Sequence, residues 1–155
     1  GLETGDSQLL QQIQKGVTAE ESIAAGQKVV RSGMKLSMMV IAGLGGAAGS
    51  ARHALKTAYA VSQIQPDMLS VLTLRLYKGT QMLREFEEGK FELLSPCGLA
   101  EEVRTFLSHI ELPPNRHCLF RSNHISNYVP LKGTLPKDRD RLLQELDVSI
   151  GSFRN

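Results

Sequence analysis

Five hydrogen-bonding side chains fall within six consecutive positions: Asn123, His124, Ser126, Asn127 and Tyr128. Such a cluster can bind a substrate or serve acid–base chemistry, and His124 is its only member that titrates near neutral pH. The same composition suits a turn stapled by Asn and Ser side chains. A second group opens the chain, where Gly1-Leu2-Glu3-Thr4-Gly5-Asp6 sets one carboxylate between glycines. Glu3 can accept hydrogen bonds from an ammonium or from ribose hydroxyls, or act as a helix-start carboxylate facing the dipole. Lys15 offers a compact cation, and equally suits the last turn of a helix. A third group, Gly43, Gly45, Gly46 and Gly49, lets backbone approach a ligand because no Cβ intervenes, although a plain tight connection needs the same residues. A dinucleotide fingerprint fits poorly, since the glycine spacing is imperfect and no acid stands about 20 residues on. His53, His109 and His117 lack ligand spacing with one another and read as surface or satisfied histidines.

Composition narrows the classes. The chain has 155 residues, 41% hydrophobic and 22% charged, which suits one globular domain with a sizeable core. No apolar run is long enough to cross a bilayer. The formal charge is +2, with a small positive excess over residues 1–78 and a small negative one over 79–155, so no basic stripe marks a nucleic-acid surface. Cys97 and Cys118 stand far apart with no CxxC spacing, a pattern suited to the reducing cytoplasm and to buried thiols rather than to a metal or iron–sulfur site. The opening lacks a starting methionine and a signal-peptide pattern, and reads as the start of a fragment of a longer protein.

The positioning elements follow from periodicity. Helices are expected over Ser7–Gln14, over Ala19–Ser32 behind a Thr18/Glu21 capping box with Gly33 as its stop, and from a Ser50 cap to Ile64. Others run from Thr80 to Glu88, from Ser95-Pro96 to Ile110, and from Pro136 to Ile150, with 151–155 a frayed tail. Strands are expected at 36–42, apolar enough to be covered on both faces, at 68–74 and at 117–122. Strands alternating with helices predict parallel pairing and an α/β fold whose ligands bind at the carboxyl ends of the strands. Three strands alone leave open edges, so further strands are expected before residue 1.

The ordered series Gly1-Leu2-Glu3-Thr4-Gly5, Lys15-Gly16, the Thr18-capped helix, Gly43-Leu44-Gly45-Gly46 and Gly79-Thr80 resembles the C-terminal half of the radical S-adenosylmethionine (radical SAM) superfamily. The branch it resembles is related to the tRNA methylthiotransferases and oxygen-independent coproporphyrinogen oxidase. The resemblance covers about residues 1–90. The rest, from about 91, is a C-terminal extension whose Phe120–His124 and Ser126–Tyr128 block looks like that of an uncharacterised subgroup. The chain departs from the pattern at Lys78, where proline is usual, and at Ala47 and Ala48, where an acid is frequent.

The resemblance implies a partial TIM-like (β/α) barrel over residues 1–150, with the N-terminal half missing. It implies S-adenosylmethionine contacts at Glu3, Lys15, Gly43, Gly45, Gly46, Leu74 and Leu76, the last two also suiting core packing. Asn123, His124, Ser126, Asn127 and Tyr128 are then substrate candidates, His124 the catalytic one, with the substrate itself open. The 4Fe-4S cluster belongs to a CxxxCxxC in the absent half. The piece alone is expected to hold no cofactor, to be inactive, and to self-associate through its uncovered edge. The alternatives are a nucleotide- or phosphate-binding module built on the Gly43 loop and a non-catalytic interaction domain.

Overall fold

The structure is a computed structural model describing residues 1–155. Its first helices are α1 (Ser7–Gln12) and α2 (Ala19–Arg31). The capping box ahead of α2 forms as expected, Thr18 Oγ1 accepting from Glu21 N at 3.1 Å while Glu21 Oε2 accepts from Thr18 N at 2.8 Å. Next come β1 (Ser37–Ala42), α3 (Gly46–Ile64), β2 (Met68–Thr73), α4 (Gln81–Glu87), α5 (Pro96–His109), β3 (Cys118–Arg121), β4 (Lys132–Leu135) and α6 (Arg139–Arg154). The four strands form one open sheet in the order β1-β2-β3-β4, so the fold is mixed α/β.

The pairs β1–β2 and β2–β3 are parallel, as the strand–helix alternation requires. β4 adds antiparallel to β3 and is a correction to the three parallel strands expected. Its sequence, Lys-Gly-Thr-Leu, is too short for a period-2 signal, and the glycine weakens strand propensity. Leu2–Thr4 lies along the other edge, where Glu3 bridges Val40 in parallel and Ile41 N donates to the Glu3 carbonyl at 3.0 Å.

One face of the sheet is the core. Val40, Leu69, Val71 and Phe120 pack against Ala58 and Val61 of α3, Phe106 and Leu107 of α5, and Leu142 and Leu146 of α6. The opposite face has no helical cover: Met39, Met68 and Leu119 are 38%, 42% and 39% exposed. β1 is therefore buried on alternate residues, correcting the expectation that both its faces are covered. At the amino ends of the parallel strands, Asp67 accepts from Leu36 N at 2.9 Å and pairs with Arg116 at 3.3 Å and Lys35 at 3.4 Å. The Leu36 backbone bond is the largest cause that holds its carboxyl below the usual carboxylate range; burial opposes it, and Arg116 and Lys35 add to the lowering.

Two boundaries differ from expectation. α3 starts at Gly46 rather than after Ser50, which lies inside the helix with its hydroxyl donating to Glu102 Oε2 at 2.5 Å. α6 starts at Arg139 and runs through Arg154, so the 151–155 tail is a helical turn rather than frayed, and Arg154 is paired with Glu101.

Candidate functional site: the cleft beside Glu3 and Lys15

The backbone turns into the site at Glu3, a residue with a Cβ at φ 66°. Both Leu2 N and Glu3 N donate to the Met39 carbonyl at 3.0 Å, which fixes this turn against β1. Lys15 arrives from the other side, at the end of the α1 turn, and its Nζ lies 3.1 Å from Glu3 Oε1. The pair borders a cleft of about 890 Å³ at the carboxyl end of β1, together with Ile13, Leu44, Gly45 and Phe91, and with Thr80 and Gln81 at the start of α4. The lining is mixed, with Glu85 and Lys90 as a second acid and cation, and an acceptor and a cation side by side suit a ligand that carries an ammonium and a carboxylate.

The sequence candidates divide on this geometry. Glu3, Lys15 and Gly45 share the cleft, whereas Gly43, Gly46, Leu74 and Leu76 do not border it. Gly43, at φ 85°, faces Leu99, where a Cβ would come within 3.1 Å, and Gly46, at φ 65°, faces Phe91 at 2.8 Å. Their missing side chains make room for protein packing. Leu74 continues the β1 pairing through its N–H to Ala42 O at 2.9 Å, and its Cβ sits against Gly43.

Several N–H groups of the glycine loop are taken up within the protein. Gly43 N donates to Glu102 Oε1 at 2.7 Å, Gly46 N to Gly43 O at 3.0 Å and Ala47 N to Glu92 O at 2.9 Å. The buried Glu102 carboxylate at this turn weighs against an anion at Gly43 N.

The block after β3 is stapled from within. The Asn127 amide donates to Val71 O at 2.8 Å and Ser122 O at 2.7 Å and accepts from Thr73 Oγ1 at 2.9 Å, bridging the carboxyl ends of β2 and β3. His124 Nδ1 accepts from Ser126 N at 3.1 Å and lies 2.8 Å from Ser126 Oγ. Because Nδ1 is engaged within the loop, only the Nε2 edge of His124 remains for anything outside the chain. Asn123 and Tyr128 are exposed. None of these five residues borders the Glu3 cleft.

Sequence reasoning missed a buried polar set behind β1: Thr4, His53, Thr57 and Glu102. His53 is satisfied, as expected, with Nε2 2.8 Å from Ile41 O and Nδ1 2.8 Å from Thr4 Oγ1. Only its spacing of four from Thr57 on α3 hinted at the network, since its other partners lie 49 and 12 positions away.

No His, Cys, Asp or Glu side chains are grouped to hold a metal ion. Burial pushes the Cys118 thiol up to about 12, against metal ligation by a thiolate there.

No family model matches the chain, and no curated protein matches it. Among solved structures the chain is similar to the archaeal Methanocaldococcus infernus Elp3 with an N-terminal deletion of residues 1–46, at 16% identity and a TM-score of 0.67. That likeness covers 96% of this chain and 35% of the Elp3 chain, and it places the chain in the same fold as that part of Elp3.

Proposed function

We propose that this chain is the C-terminal half of a radical SAM enzyme, in the branch related to the tRNA methylthiotransferases and oxygen-independent coproporphyrinogen oxidase, and that the Glu3–Lys15 cleft takes the amino-carboxylate end of S-adenosylmethionine. The observation that carries this reading is the meeting of Glu3, Lys15 and Gly45, up to 42 positions apart, in one cleft at the strand carboxyl ends. The fold shared with Elp3, a radical SAM family member, supports it. So does the sheet, whose uncovered face suits the interior of a barrel that further strands complete. Glu3 would accept from the ligand ammonium and Lys15 would pair with its carboxylate, each exchanging its present partner for the ligand. The cofactor, when bound beside a reduced cluster, supplies radical chemistry. This chain's cysteines do not fit that cluster, so its ligands belong outside residues 1–155.

The test is to extend the protein with the coding sequence that precedes Gly1 and reconstitute it with iron and sulfide without oxygen. The expected outcome is a CxxxCxxC in the added segment, a 4Fe-4S spectrum, and reductive release of 5′-deoxyadenosine from S-adenosylmethionine. An extension without that motif, or a cluster-free protein, contradicts the reading.

A further inference from the structure

We propose that His53 and Thr4 position the Glu3 carboxylate, locking the left-handed backbone that keeps it beside Lys15. The inference deepens the cofactor reading and rests on it for its ligand. A residue with a Cβ is disfavoured at φ 66° and persists there only when its surroundings over-determine it. Thr4 N donates to Leu2 O at 2.8 Å across Glu3, Leu2 N and Glu3 N hold the Met39 carbonyl, and a closed ring of three further hydrogen bonds ties this turn to α3. Ile41 N donates to Glu3 O at 3.0 Å, Ile41 O lies 2.8 Å from His53 Nε2, and His53 Nδ1 lies 2.8 Å from Thr4 Oγ1.

The protons in that ring are assigned by its chemistry. A carbonyl only accepts, so Nε2 carries the hydrogen, and with that one ring proton Nδ1 accepts from the Thr4 hydroxyl. Thr4 Oγ1 in turn accepts from Asp6 N at 3.0 Å. The imidazole thereby spans from the β1 residue that receives the Glu3 carbonyl to the side chain next to Glu3. α3 adds a second row of clamps, Thr57 Oγ1 accepting from Gly5 N at 3.0 Å and Arg52 Nε pairing with Asp6 at 2.9 Å. A Cβ at Gly5 would overlap the Lys56 carbonyl, so the segment lies directly on the helix. Thr4 and His53 are 0% and 3% exposed, which keeps water from replacing the bond between them.

A purely structural role predicts lost stability alone, whereas positioning also predicts a change at Glu3. The test uses Thr4→Val, which removes the hydroxyl at constant shape, and Thr4→Ser, which restores it. Ser62→Ala is the control, since it removes a hydroxyl from the same helix that bonds Ala58 O and Glu111 N and none of the ring. In the wild-type chain the intraresidue amide–Hα nuclear Overhauser effect of Glu3 should be strong, the signature of positive φ. It should weaken in Thr4→Val and return in Thr4→Ser, and it should stay strong in Ser62→Ala even if the melting temperature falls. In the extended enzyme, Thr4→Val should weaken S-adenosylmethionine binding on the order of tenfold, as for one lost hydrogen bond, and Thr4→Ser should recover most of it. An unchanged Glu3 signal in folded Thr4→Val overturns the positioning role. Should that variant not fold, imidazole ¹⁵N shifts of the wild type decide: the Nε2–H tautomer supports the ring, and the Nδ1–H tautomer overturns it. A Glu3 signal that follows the hydroxyl in an extended protein that binds no S-adenosylmethionine leaves positioning standing and removes the cofactor reading.

Discussion

Asn127 shows how a residue selected for its chemistry can be occupied by the fold. Its amide uses both its donor and its acceptor side to join Val71, Ser122 and Thr73 where β2 and β3 stop pairing. Truncating it leaves two carbonyls without partners at the sheet end, so Asn127→Ala should cost about 2 kcal/mol or more in denaturant unfolding. His124→Ala removes an exposed ring and should cost less than half of that. Equal costs would contradict the bridging role of Asn127. Residue type and spacing made the block stand out in the sequence, and the turn reading was legible from its Asn and Ser content. That Asn127 would reach across to β2 was not, because the partner is 54 to 56 positions away and pairing is decided by the tertiary fold. Glu3 and Lys15 were legible as a candidate acceptor and cation, while the packing use of Gly43 and Gly46 depended on Leu99 and Phe91, far along the chain.

At the scale of elements, Asp67 fastens the starts of β1 and β2 and the approach to β3. Its pKa is depressed in the folded state by the Leu36 backbone bond first, and by Arg116 and Lys35. A depressed carboxyl contributes stability that is complete above its unfolded value, near 4, and is lost as pH falls through the folded value. Asp67→Asn should therefore lower stability at pH 7, and the difference from wild type should shrink as the pH drops below about 4. A constant difference between pH 7 and pH 2.5 in urea melts would contradict this latch. The helices with chemical start signals, such as the Thr18 capping box and Ser95-Pro96, were readable to within about a turn. β4 was not, since its four residues take strand form only because β3 offers an unpaired edge. The open face of β1 was equally hidden: six largely apolar residues in a row do not say which alternate set meets α3.

The whole molecule presents one buried face of its sheet and one uncovered face. Met39, Met68 and Leu119 are neighbours there through the β1–β2–β3 register, with Ile41 and Leu72 half-buried alongside. We propose that this face draws copies of the isolated chain together. Sedimentation should show association that grows with protein concentration, and Met39→Glu with Met68→Glu should suppress it while the circular dichroism spectrum is kept. A wild-type chain that stays monomeric at several hundred micromolar contradicts that expectation.

If Glu3 and Lys15 serve one ligand, calorimetric titration of S-adenosylmethionine into the extended, cluster-loaded protein will register both. Glu3→Ala and Lys15→Ala should each weaken binding by about 1 to 3 kcal/mol, the scale of a charge-assisted hydrogen bond, and leave the cluster spectrum unchanged. Wild-type affinity in both variants would contradict the account.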